Sequence, residues 1–160
     1  MHLAHALDVL IVSLGSTAGL RRADEELRDS LERAGASVEL ARAPAPPSKP
    51  TLMLTDLGWA RAARAAAAAG LCREGSHSPR AVIYSSTTAA LLWPRPGAIR
   101  FDASAAGKRR GRDGLWQRPL ERRRLAQSAL LLPWSEGGLR EAPAAARRPG
   151  RALVLPVAVD

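Results

Sequence analysis

At 160 residues the chain has the length of one domain, and with 46% hydrophobic but only 4% aromatic residues its core has to come from Leu, Val, Ile and Ala. One cysteine, Cys72, excludes an internal disulfide and a Cys-x-x-Cys metal site, and no run approaches the ~20 apolar residues of a membrane span. The net charge of +9 suits a phosphate-bearing ligand or an anionic membrane surface, but arginine is spread over the whole chain and no helix-turn-helix or RNA-binding signature accompanies it, so no specific nucleic-acid partner is expected.

No Lys or Arg precedes the first apolar run, Asp8 lies inside it, and a helical pattern rather than a cleavage site follows. That argues against a signal peptide and for a cytoplasmic location, at most peripheral to the inner face of the membrane. The run itself, Leu7 to Ser13, is apolar and β-branched and enters Gly15-Ser16-Thr17-Ala18-Gly19, which predicts a buried parallel strand leading into a glycine loop. Leu20, Ala23, Leu27, Leu31 and Ala34 then recur at helical spacing, Gly35 is a helix stop, and Ser37 to Ala41 is strand-like. Strand, glycine loop, helix and strand make a right-handed crossover unit.

A proline-rich connector carries Pro44, Pro46, Pro47 and Pro50, and Thr51 to Thr55 reads as a short strand or as the approach to a helix. Thr55 or Asp56 is expected to cap a helix over Leu57 to Leu71, whose alanine run combines high helix propensity with small side chains able to lie close to a sheet. Further strands are predicted at Arg80 to Ser85, Gly97 to Phe101, Ala129 to Pro133 and Arg151 to Pro156. Between them fall a short helix over Ser86 to Trp93, a mobile basic loop over 103–114, an Arg-rich helix over Leu115 to Ser128 and a short helix capped by Ser135 and weakened by Gly137 and Gly138. This alternation predicts an α/β domain with an all-parallel sheet.

Ligands of such sheets gather at the carboxyl ends of the strands, and the candidate site residues follow from that rule. Gly15, Ser16, Thr17 and Gly19 precede a helix N-terminus, where free N–H groups and the helix dipole suit a phosphate or a sugar hydroxyl, although the loop is equally readable as a tight turn and is neither Gly-x-Gly-x-x-Gly nor a Walker loop. Ser85 and Ser86 can bind a polyol or cap the next helix. Asp102 can orient an acceptor hydroxyl or act as a base, or pair with nearby arginines. Arg112 and Arg122 to Arg124 offer bidentate phosphate contacts or simple solvation. Trp93 and Trp134 follow strand ends closely enough to wall a sugar site, and Ser135 stands beside the latter. Cys72 reads as a small packing residue, or as a nucleophile if His77 serves as its base.

The stretches LDVLIVSLGSTAGLRRADEELRDSLERAGASVEL, AIRFDASAAGKRRGRDGLWQRPLERRRLAQSALLLPWSE and RALVLPVAVD, in that order and spacing, resemble the N-terminal domain of family 4-type GT-B glycosyltransferases. The resemblance implies a Rossmann-like three-layer domain with a parallel sheet, the acceptor-side half of a two-domain enzyme. It implies sugar transfer from a nucleotide-sugar donor to a glycan, lipid or small-molecule acceptor, with retention, without a metal and without another cofactor. The donor would be held by a C-terminal domain outside this chain, and the chain alone is expected to be inactive. Gly15 to Gly19 would approach the donor phosphates, and Asp102 stands where many members carry His. Val157-Ala158 replaces the Asn-Gly that commonly precedes the family's final Val-Asp. A Rossmann-type nucleotide or NADP binder is the alternative, with Arg42 reading a 2′-phosphate, though the glycine spacing disfavours it.

Overall fold

The computed structural model describes residues 6–72, 78–104 and 111–157. Five strands, β1 (Val9–Ser13), β2 (Val38–Arg42), β3 (Ala81–Tyr84), β4 (Ala98–Phe101) and β5 (Leu130–Pro133), form one parallel sheet in the order β2-β1-β3-β4-β5. The helices are α1 (Ala18–Arg33), α2 (Leu52–Leu71), α3 (Thr87–Ala90), α4 (Gln117–Gln127) and α5 (Glu136–Glu141), with a 3₁₀ turn over Gly111–Gly114. They flank both faces of the sheet, so the domain is α/β, three-layered and Rossmann-like. No described helix is long and apolar enough to cross a membrane.

Alternation along the strands separates two cores. Leu10, Val12, Tyr84, Ile99 and Leu131 face α2, α3 and α4, together with Ala63, Ala67, Ala89, Ala90 and Leu125. Ile11, Ile83, Ala98 and Leu132 face α1, where Leu27 and Leu31 meet them. Burial on both faces explains why β1, β3, β4 and β5 read as near-continuous apolar runs, whereas the edge strand β2 is half-buried and carries Glu39.

α1 ends on a Schellman motif. Gly35 takes φ +92, its N–H donates to the Glu32 carbonyl at 2.9 Å, and the Ala36 N–H donates to the Leu31 carbonyl at 3.1 Å. α2 approaches the sheet closely. Ala60, Ala63 and Ala67 are fully buried, and a Cβ at Gly70 would stand 2.8 Å from both δ-carbons of Leu10.

Several boundaries differ from expectation. α2 begins at Leu52 rather than Leu57, because Thr51, not Thr55 or Asp56, is the N-cap: its Oγ1 accepts from the Leu54 N–H at 3.2 Å. The apolar Thr51–Thr55 run is therefore helical, and Asp56 is buried within the helix, accepting from Gln117 Nε2 at 2.9 Å. α3 is a single turn over Thr87–Ala90 instead of reaching Trp93. The guanidinium of Arg124 caps the Leu91 carbonyl behind it, and that of Arg64 caps the Leu92 carbonyl. The expected last strand over Arg151 to Pro156 is reduced to an isolated parallel bridge between Leu131 and Ala152. It holds to the outer edge of β5 by backbone bonds from Leu131 to Arg151, Leu153 to Leu131 and Leu155 to Pro133. β3 is the central strand, with β1 beside it. Of the predicted mobile loop over 103–114, residues 105–110 lie outside the described residues, and 111–114 are the 3₁₀ turn.

Candidate functional site

The chain leaves β1 toward β2 on one side and, after α2, returns to β3 on the other. The β1/β3 boundary is thus the topological switch point, where open parallel sheets leave a crevice at their carboxyl edge. A shallow cleft of about 200 Å³ lies at this edge, lined by Leu20, Ser85 to Thr88, Phe101, Asp102, Ala103 and Trp134. A hollow of about 340 Å³ lies at the opposite end of the strands. Despite its size it offers no hydroxyl or carboxylate, being lined by residues such as Ile83, Ala98 and Leu130 with Arg80 and Arg95 at its margin. The smaller cleft is the one lined by hydroxyls and a carboxylate at the carboxyl edge.

Three helices, α1, α3 and α5, start within a few residues of a strand's carboxyl end, each behind a hydroxyl N-cap. Thr17 Oγ1 accepts from the Leu20 N–H at 3.2 Å, Ser86 Oγ from the Ala89 N–H at 3.1 Å, and Ser135 Oγ from the Gly138 N–H at 3.0 Å. Glycine is required at 138, since a Cβ there would stand 2.3 Å from the Asp102 carbonyl oxygen. α5 therefore packs directly on the end of β4 and holds the backbone of Asp102 in place, while the residue itself is exposed.

Beneath the cleft lies a polar layer. On the α1 face, each of four adjacent strands changes from apolar to polar or amphipathic two residues further along: Ile11 to Ser13, Ile83 to Ser85, Ala98 to Arg100, and Leu132 to Trp134. The pairing of Val12 with Tyr84 and of Tyr84 with Ile99 sets Ser13, Ser85 and Arg100 level across the sheet. Asp24 descends on this row from α1. Ser13 Oγ donates to Asp24 Oδ2 at 2.5 Å, and Arg100 Nη1 donates to the Ala23 carbonyl at 3.0 Å and to Asp24 Oδ1 at 3.4 Å. All four residues are buried. Burial pushes the Asp24 carboxyl above the ordinary aspartate value, against the opposing effects of Ser13, Arg100 and Ser85. The same desolvation lowers Arg100. The Arg100 guanidinium carbon lies 5.3 Å from the centre of the Trp134 ring.

The predicted residues divide accordingly. Ser85, Ser86 and Asp102 come together at the cleft with Trp134, and Ser135 sits at its margin as a cap. Gly15, Ser16, Thr17 and Gly19 form an adjoining turn, of which only the neighbouring Leu20 reaches the cleft wall. Gly15 takes φ +56, and Arg21 Nη1 donates to its carbonyl at 2.8 Å. Trp93 is not at the cleft. It is 6% exposed, its ring centroid 5.5 Å from that of Tyr84, with Arg124 stacked over it at 5.2 Å. The short α3 turns the chain into the core before Trp93 is reached. Arg112 is an exposed residue of the 3₁₀ turn, Arg122 and Arg123 are exposed on α4, and Arg124 serves α3. Arg42 is ion-paired with Glu25 rather than standing alone for a 2′-phosphate. Cys72 is exposed, and His77 lies outside the described residues. Among the described residues no group of His, Cys, Asp and Glu is arranged to hold a metal.

Asp24 and Arg100 escape a reading that looks only just past the strand ends. Asp24 stands four residues after Leu20 and three before Leu27, on the apolar stripe of α1, and Arg100 interrupts an otherwise apolar strand. Comparison with protein-family models, with curated proteins and with solved structures gave no match.

Proposed function

We propose that this chain is the acceptor-side domain of a glycosyltransferase, with a hydroxyl-rich acceptor seated in the carboxyl-edge cleft. The observation that supports this most is the set of groups lining one shallow hollow: the Ser85 to Thr88 hydroxyls, the Asp102 carboxylate and the Trp134 ring. Hydroxyls and a carboxylate can orient a sugar's hydroxyls, and an aromatic face can pack against its C–H surface. Asp102, exposed on a backbone braced by Gly138, accepts a hydrogen bond from the attacking acceptor hydroxyl and draws off its proton as that oxygen bonds to the donor's anomeric carbon, while the bond from that carbon to the nucleotide's phosphate oxygen breaks and the phosphate departs with the electron pair. The nucleotide-sugar donor is bound by a partner domain, which fits the smallness of the cleft.

Titrating the purified chain with methyl glucoside, followed by ¹H–¹⁵N NMR, tests the reading. Perturbed signals at Ser85 to Thr88 and Asp102, lost in Asp102→Ala, are expected. NADP should leave the same signals unmoved. Saturable binding of NADP at the Gly15 turn with no response to glycosides would overturn the proposal in favour of a nucleotide-binding domain.

A further inference from the structure

Buried arginines carry a large desolvation cost and are kept where their fork is fully used. Arg100 is unusual in this respect. Its side chain is 4% exposed, one nitrogen serves both the Ala23 carbonyl and Asp24, and its Nε has no partner among the described residues. What the guanidinium does have is the face of Trp134. The Trp134 ring has no hydrogen bond to orient it among the described residues, its buried Nε1 lacking a partner there. The Trp134 backbone N–H still donates to the Phe101 carbonyl at 2.9 Å just past the end of β5, but that bond fixes the main chain and leaves the ring to its side-chain contacts. The planar cation underneath is the group placed to fix the ring.

We propose that Arg100 is the positioning residue of the cleft: anchored on α1 through Ala23 and Asp24, it supports the Trp134 ring and sets it as the wall against which the occupant packs. The ring's role toward a sugar rests on the acceptor-site reading above. The positioning of the ring does not. Asp24 is part of the device, because it aims the guanidinium and is itself held by Ser13 from the end of β1. The arrangement links the switch point between β1 and β3 to the far wall of the cleft on β5, through one layer of side chains.

The test uses the purified chain and the indole N–H signals of its four tryptophans. Trp134→Phe identifies the Trp134 signal by its loss. Arg100→Met should move that signal and weaken methyl glucoside binding by about tenfold, the size of a desolvated cation–ring contact. Arg100→Lys, which keeps a cation under the ring, should hold the signal nearer its original position. Leu27→Ala loosens the same α1–sheet seam and should lower the melting temperature without moving the Trp134 signal. If Arg100→Met does not fold, the double variant Asp24→Leu with Arg100→Met removes both charges while keeping the seam filled, and is read in the same way. A Trp134 signal unmoved in whichever variant folds overturns the positioning role. A moved signal in a chain that no glycoside perturbs upholds that role and counts against the acceptor reading.

Discussion

Leu27 of α1 and Ala67 of α2 are both buried, on opposite faces of the sheet that carries β1, and they are buried by different means. α1 stands off on leucines and descends at one point only, where Asp24 reaches Arg100 and Ser13. α2 lies close along its length on alanines, near enough for Gly70 to touch Leu10. The α1 layer therefore depends on large side chains and one buried charge pair, the α2 layer on the absence of volume. The buried charge pair on the α1 face lies beneath the carboxyl-edge cleft, whereas the α2 face keeps its buried polar pair, Asp56 and Gln117, between helices.

The largest effect should come from breaking the charge pair. Arg100→Met strands the Asp24 carboxylate and is expected to cost about 3–5 kcal/mol in urea unfolding, with much of that recovered when Asp24→Leu is added. A double variant no more stable than the single one would show that the pair is worth more than its desolvation. Next come the two layers themselves. Leu27→Ala should cost roughly 2–5 kcal/mol through a cavity, and Ala67→Leu about 1–3 kcal/mol through overpacking. If Ala67→Leu is neutral, the contrast drawn between α1 and α2 is wrong.

Much of this was legible from residue order. Strands buried on both faces give near-unbroken apolar runs, so β1, β3, β4 and β5 stand out in the sequence, while the half-buried edge strand β2, with Glu39 inside it, is legible only as strand-like; the carboxyl-edge rule put Ser85, Asp102 and Trp134 in one neighbourhood. The start of α2 was harder, because Thr51 to Thr55 is three apolar residues between two threonines, a pattern too short to show a period, and only the Thr51 cap resolves it as helix. Trp93 follows a strand closely in sequence but lies behind a one-turn helix, so its direction depends on where α3 ends. The polar layer was hidden differently. Its members are visible one by one, yet the ion pair spans 76 residues of sequence, and only strand order and register bring Asp24, Ser13 and Arg100 together.

A smaller effect separates the α2 side by pH. Tyr84, the chain's one tyrosine, donates its hydroxyl to the Arg95 carbonyl at 2.7 Å and is pushed up to about 12, chiefly by burial. Its ordinary value is 10.0, so the phenol ionises first in the unfolded chain. The stability that Tyr84 contributes is then complete below pH 10.0 and is lost as pH rises through about 12. Ultraviolet absorbance of the phenolate should show no tyrosinate in the folded chain until the alkaline limit. Tyr84→Phe should cost about 1 kcal/mol near neutrality and remove that slope. Full titration near pH 10.0 in a folded chain would contradict the buried position.

The smallest effects compare two glycines of one turn. Gly15 has φ +56, and a Cβ on it would lie 3.1 Å from Arg21 Cγ. Gly15→Ala should therefore destabilise by about 1 kcal/mol. Gly19 is helical, in the first turn of α1, and a Cβ there meets nothing within 4 Å. Gly19→Ala should stabilise by up to about 0.5–1 kcal/mol, by removing backbone freedom from the unfolded chain. Melting curves give the two signs. The pair also tests what the turn is for. Gly15→Ala changes backbone geometry and so confounds folding with binding, whereas Gly19→Ala adds one methyl group to open space. If Gly19→Ala melts higher yet loses methyl glucoside binding, the turn is part of the ligand surface. If it melts higher and binds unchanged, the glycines of this loop serve the chain reversal alone, and the cleft begins at Leu20.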